Sequence, residues 1–204
     1  MESLALVFSS GWASGVNSYL VVLVLGLAER YGSVDGLPPA LGRWEVLLAA
    51  ATLYLFEFVA DKIPYVDSAW DGVSTAIRPV VGAVVGALVA GESSSVSELL
   101  GATVGGGSAL ASHSVKAGTR LAVNTMPEPF TNIGLSLGED AVVLAVVWFA
   151  IDHPYVAASV AALLLVVGLV LLYLSLRLVR RGWRRLRGRL DRRRQRREGV
   201  EPLT

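Results

Sequence analysis

The sequence has no cysteine, only two histidines, and charged side chains at 17% of its 204 positions. Without cysteine it forms no disulfide, offers no thiolate nucleophile and binds no metal through sulfur. The two histidines, His113 and His153, fall on different helices or loops, which gives no basis for a histidine-ligated metal pair. Nothing in the sequence implies a cofactor. Charge is absent altogether from two runs, Ser3 to Ala28 and Pro154 to Leu176, each long enough to cross the hydrocarbon core of a bilayer as a helix. With 53% hydrophobic residues and a mean hydropathy of +0.57, the balance excludes an ordinary soluble domain and fits a polytopic membrane protein. The first run does not look like a secretory signal. It opens "MESL", with an acid in place of a basic n-region, and has no clear small-residue cleavage site. It reads as a retained first helix.

The charge that is present is divided along the chain. Residues 177–204 hold 12 of the 18 Lys and Arg, all of them Arg, against 3 acids, for a local charge of +9. Residues 1–176 hold 6 basic and 14 acidic residues, a charge of −8. The basic block follows the last apolar run directly, so the positive-inside rule places the C-terminus in the cytoplasm and the protein in the cytoplasmic (inner) membrane. Two regions are expected: a transmembrane helical domain, 1–176, and an Arg-rich cytoplasmic tail, 177–204. In the tail, Leu176, Val179, Trp183, Leu186 and Leu190 recur at spacings of 3 and 4, with Arg at most other positions. The pattern predicts an amphipathic helix followed by a disordered end. Such a helix suits anionic lipid headgroups, with roughly 1 kcal/mol per basic residue near the surface. The same spacing would serve a short coiled coil, and homo-oligomerisation stays open. Its place beside a membrane span makes nucleic acid an unexpected partner.

Between the two clear spans lie four weaker ones, about Trp44–Ala60, Pro79–Ala90, Leu99–Val123 and Glu139–Ile151. The expected fold is all-α, a polytopic integral membrane protein of about six transmembrane helices, some short, broken or re-entrant, with both termini cytoplasmic. Pro79 is expected at a helix start, where its missing N–H costs nothing. The span it opens is short for a perpendicular crossing. Small residues at four-residue spacing, Gly11 and Gly15, Gly82 and Gly86, Gly101 and Gly105, predict close helix contacts. The fragments "GWASGVNSY" and "GGGSALASHS" open the two proposed three-helix halves, which suggests a 3+3 inverted repeat.

Three polar groups interrupt this apolar background. Glu57 and Asp61 share a face at the end of the second span, Lys62 follows, and Asp67, Asp71 and Arg78 continue the stripe. These charges are either ion pairs at the membrane boundary or a site; Glu57, among Phe56, Phe58 and Val59, lies deepest. Ser108, Ser112, Lys116, Arg120 and Asn124 form a stripe on the fourth helix, with His113 beside it, and a helix striped in this way does not face lipid there. Glu139 and Asp140 are expected at the start of the fifth helix, on the same membrane face, where acids are ordinary partners of the helix dipole. Glu57, Asp61, Glu139 and Asp140 could together form an all-carboxylate cation site, since hard cations accept oxygen ligands. Asn17, near the middle of the first span with Ser14 and Ser18, is either an interhelical hydrogen-bonding group or part of a broken helix hinged at Gly11 and Gly15.

The segments "GWASGVNSYLVVLVLGLAERYG", "LYLFEFVADKIPYVDSAWD", "IRPVVGA", "GGGSALASHSVKAGTRLAVNTMPEP" and "NIGLSLGEDAV" resemble the bacterial integral membrane family known as domain of unknown function 4126. The resemblance covers about Gly11 to Val170 and is most specific at "EF-x-ADK-x-P-x-x-D", Glu57 to Asp67. It implies a polytopic membrane protein and carries no activity. "EFVADK" is also similar to the E-x-G-D-K motif of cation-exchanger families, with one extra residue between Glu57 and Asp61 and no second copy. No complete nucleophile–base set or metal signature is present, so an enzyme ranks below a transporter or permease and below a structural or assembly protein. The cysteine-free chain makes the orientation directly testable. A Gln195→Cys protein should react with a membrane-impermeant maleimide in inverted vesicles and stay unlabelled in intact cells; labelling of intact cells would reverse the topology.

Overall fold

The computed structural model describes residues 2–32, 34, 36–63, 65–91, 95–123 and 129–198. Six helices hold nearly all of them: α1 (Glu2–Gly32), α2 (Trp44–Ala60), α3 (Val66–Ala90), α4 (Ser95–Val123), α5 (Pro129–Asp152) and α6 (Pro154–Glu198). Among the described residues there is no strand. Four stretches, Glu2–Gly32, Val66–Ala90, Phe130–Asp152 and Pro154–Arg177, are long and apolar enough to cross a membrane. Many large apolar side chains, Leu48, Leu55, Trp148 and Leu163 among them, point outward. A soluble fold does not leave so much apolar surface in water. The chain is a multi-pass membrane protein. It divides into two compact units, Met1–Gly168 and Leu169–Thr204.

Within the first unit α1 is the most enclosed helix, packed against α2, α3, α4 and α5. The small residues explain why. A β-carbon on Gly86 would collide with the Gly101 carbonyl, and one on Gly105 with the Gly82 carbonyl, so the α3 and α4 backbones touch along a glycine seam. A second seam joins Gly11 and Gly15 of α1 to Gly105, Ser108, Ala109 and Ser112 of α4. The fragments "GWASGVNSY" and "GGGSALASHS" therefore pack face to face. Lipid supplies no hydrophobic drive between helices, so association relies on such close packing. Val7, Val21, Leu25, Val143, Val147 and Ala161 fill the apolar core around the seams.

Two expected boundaries are corrected. Pro79 does not start a helix; it lies inside α3, which runs unbroken over 25 residues from Val66 to Ala90. Proline removes the hydrogen bond to the Thr75 carbonyl, but packing against α1 and α4 keeps the helix going, as membrane helices allow. The third span is consequently not short. Glu139 and Asp140 do not open α5 either. That helix starts ten residues earlier, at Pro129, with proline at its favoured first position. The segment "TNIGLSLG" is polar and glycine-rich yet helical, because its polar side is buried against the rest of the bundle. Between α2 and α3 the chain reverses at Tyr65, in the left-handed region with φ 71°. The final helix continues past its apolar part to Glu198; residues 199–204 of the tail lie outside the described residues.

The glycine seam sets a stability test. Gly101→Val should cost at least the ~1–3 kcal/mol of an overpacked core, read as a lower melting midpoint in detergent. Gly107→Ala, with nothing within 4 Å of the added carbon, should leave it unchanged or higher. Equal tolerance of both would remove the seam from the account.

Candidate functional site: a buried charge cluster at a break in α1

At Asn17 the backbone of α1 leaves the helical region, with φ −151° and ψ 95°. The break has the form of a helix start. Asn17 Oδ1 accepts a hydrogen bond from the Leu20 amide at 3.0 Å, the N-cap geometry, and so begins the second half of α1. The first half ends at Val16 with carbonyls that no longer have helical partners. Side chains from α3 and α4 take them up. Arg78 Nη1 donates to the Gly15 carbonyl at 3.2 Å and Lys116 Nζ to that of Val16 at 3.0 Å; one turn earlier, within the helix, Ser112 Oγ donates to the Trp12 carbonyl at 2.7 Å. Two cations thus meet the negative end of a half-helix dipole.

Each cation also gathers carboxylates. Arg78 Nη2 lies 2.5 Å from Glu57 Oε1 and 3.2 Å from Asp71 Oδ1. Lys116 Nζ lies 2.7 Å from Asp61 Oδ2, 3.5 Å from Glu139 Oε2 and 3.6 Å from Glu57 Oε1. Arg120 Nη2 reaches Glu139 Oε2 at 2.6 Å and Asp61 Oδ2 at 3.6 Å. Arg120 Nη1 donates to the Asp61 carbonyl at 2.9 Å and lies 3.5 Å from Asp67 Oδ2. Asn132 Nδ2 is also 3.5 Å from Asp67 Oδ2. Glu57 and Arg120 are 0% exposed, Arg78 1% and Lys116 4%, so this is an interior network and not a boundary one. Charges buried so deeply persist only when paired and hydrogen-bonded.

His113 bridges two parts of the network. Its Nδ1 is 2.8 Å from Arg78 Nη1, which has only protons to give, so Nδ1 accepts. Nε2 then carries the ring proton and donates to Thr75 Oγ1 at 2.9 Å, while that hydroxyl donates to the Asp71 carbonyl at 2.9 Å. The imidazole is neutral. Beside the network lies a mostly apolar cavity of about 400 Å³, lined by Trp12, Val16, Leu164 and Leu165 and by the charged Lys116 and Glu139.

The sequence-derived candidates meet here with few exceptions. Glu57, Asp61, Asp67, Asp71, Arg78, His113, Lys116, Arg120 and Glu139 form one contact network. Asp140 joins it through Asn17, whose Nδ2 donates to Asp140 Oδ1 at 2.9 Å. Asn17 is thus both the break and an interhelical bond. Lys62 sits at the edge, with Nζ donating to the Phe58 carbonyl at 2.8 Å and to Ser136 Oγ at 3.4 Å, over the Phe58 ring. Asn124 lies outside the described residues. Among the described residues no three acidic or imidazole groups converge as metal ligands; the carboxylates Glu57, Asp61 and Glu139 are turned toward cationic side chains instead. Three participants were not anticipated: Thr75, Asn132 and Ser136. The α5 pair was detectable, since Asn132, Ser136, Glu139 and Asp140 repeat at helical spacing.

The family model described as domain of unknown function (DUF4126) matches residues 4–173. The chain belongs to this family. No curated protein and no solved structure matches it. The match runs through every helix of the network, so what binds these charges together belongs to the DUF4126 region and not to the arginine tail.

Removing one partner should be costly. Arg78→Met, which strands Glu57 and Asp71, should lose about 3–5 kcal/mol of stability. The Glu57→Leu/Arg78→Met double variant should recover part of that loss in denaturant or thermal unfolding. A double variant no better than the single would show that the two charges do not act as a pair.

Proposed function

We propose that this protein is a transporter or permease for a small ion, solute or lipid headgroup, with the charge cluster as its binding site. One observation carries the reading: α1 is discontinuous at the level where the cluster sits. Transporter folds place substrate and coupling ions at broken helices, whose half-helix ends supply carbonyls and dipoles to the site. Here the carbonyls of Gly15 and Val16, Lys116 and Arg78, and the carboxylates of Glu57 and Asp61 all meet at such a break. The cavity beside Lys116 and Glu139 offers a route toward them. Six membrane crossings with both termini in the cytoplasm complete the reading, supported by the +9 charge of residues 177–204. The tail then rests on anionic headgroups of the inner leaflet.

The tightness of the ion pairs favours a second reading, a structural or assembly protein in which the cluster only locks the helices and the tail docks a partner. The two separate by experiment. Full-length protein in liposomes should conduct or exchange at least one of a panel of monovalent and divalent cations, phosphate and labelled lipids. Glu57→Gln and Lys116→Ala should each lower that flux by about tenfold or more, the size of a lost charge-assisted contact. Flux equal to empty liposomes for the whole panel would sink the transport reading. Loss of a co-purifying partner on deletion of 177–204 would support the assembly reading.

A further inference from the structure

Among the described residues, the network gathers six carboxylates, Glu57, Asp61, Asp67, Asp71, Glu139 and Asp140, and four basic groups, Lys62, Arg78, Lys116 and Arg120. Five of the acids have a basic group within 4.0 Å; Asp140 has none. Its Oδ1 accepts from Asn17 at 2.9 Å, and its Oδ2 is buried without a partner. Three of the bases have a carboxylate within that distance; Lys62 has none, and its ammonium rests on the Phe58 carbonyl and the Ser136 hydroxyl. Ser136 and Asp140 stand one turn apart on α5. An acid and a base without ion-pair partners, each held by neutral groups, are therefore linked through Ser136 to the same face of α5.

We propose that Asp140 and Lys62 form a proton switch, in which Asp140 carries an exchangeable proton on Oδ2 and its release draws the Lys62 ammonium across to the carboxylate. Ionised and unpaired, Asp140 would be a buried charge between helices, far costlier than a neutral acid with one unmatched hydroxyl. The charged groups that face it explain why it stays neutral. Asp61 after α2 opposes a further negative charge, and Glu139, beside Asp140 on α5, already takes up Arg120. Lys116 of α4 is committed to Asp61 and the Val16 carbonyl. Tyr54 of α2 and Asn17 of α1 are neutral. Lys62 alone of the four bases is held by neutral groups and not by a carboxylate, on a flexible four-carbon stem.

In the step, the Oδ2–H bond breaks, the electron pair stays on oxygen, the proton passes to water, and Lys62 keeps its three protons. Because Asn17 holds Asp140 and also caps the second half of α1, the exchange of partners reaches the break directly. What the switch drives rests on the transport reading; that Asp140 binds a proton does not.

Infrared titration of full-length protein in phosphatidylglycerol–phosphatidylethanolamine vesicles reads the carboxyl protons without any flux measurement. Wild type should retain a protonated carboxyl band well above the ordinary aspartate range of about 4. Asp140→Asn should remove it, and Asp140→Glu should restore it. Lys62→Met should shift its loss to higher pH, since the waiting cation is gone. An unchanged band in Asp140→Asn, or an unshifted titration in Lys62→Met, would overturn the switch. Flux in the liposome assay would then judge transport separately.

Discussion

A helix that stops hydrogen bonding to itself inside a membrane must find other partners, and that requirement organises this protein. The break at Asn17 releases carbonyls at Gly15 and Val16 in the buried part of α1. Arg78 and Lys116 supply the donors. Those two cations then need counter-charges, which Glu57, Asp71, Asp61 and Glu139 provide. Arg120 extends the network to Asp67. Each group is there because of the one before it, so removal of any member leaves a buried charge or carbonyl exposed to a medium of low dielectric constant.

Geometry of this kind needs backbones held to within a fraction of an ångström. The glycine seams between α3 and α4, and between α1 and α4, provide that control. They bring the helices close enough for Arg78 and Lys116 to reach α1 directly. The seam glycines of α3 and α4 sit on the same helices that carry Arg78, Lys116 and Arg120, so packing and electrostatics are fixed together. The apolar exterior of α5 and α6 faces outward and imposes little on the site.

Much of the arrangement was legible in the sequence because charge inside an apolar chain is conspicuous. Glu57 and Asp61 at the end of one span, and Lys116 and Arg120 on the stripe of another, had to find each other if neither could face lipid. The glycine spacing foretold the seams for the same reason: small residues four apart have few other uses in a bilayer. What escaped was governed by context. Pro79 is a helix start by local rules, yet a membrane helix passes through it when neighbours enclose it. "TNIGLSLG" is a poor helix by propensity, and its polar face becomes an asset only once Asp67 and Lys62 are opposite. Asn17 offered two readings: its side chain does bond across helices to Asp140, and the helix does break, but at Asn17 itself and not at the expected hinges Gly11 and Gly15, which are packed against α4. Thr75 gave no signal of its own; its role depends on the tautomer that Arg78 imposes on His113.

The network is also ordered in time. Glu57 and Asp61 leave the ribosome before Arg78, which precedes Lys116 and Arg120, which precede Glu139 and Asp140. When α2 is made, the cations that pair with Glu57 do not exist yet. Glu57 meets its guanidinium partner only once α3 is made, and Asp61 meets its cations only once α4 is made. The break in α1 likewise waits for Arg78 of α3 to reach the Gly15 carbonyl and for Lys116 of α4 to reach that of Val16. The first half of the protein is therefore completed by groups from the second: Lys116 and Arg120 of α4 meet the charges and carbonyls that the earlier helices leave open.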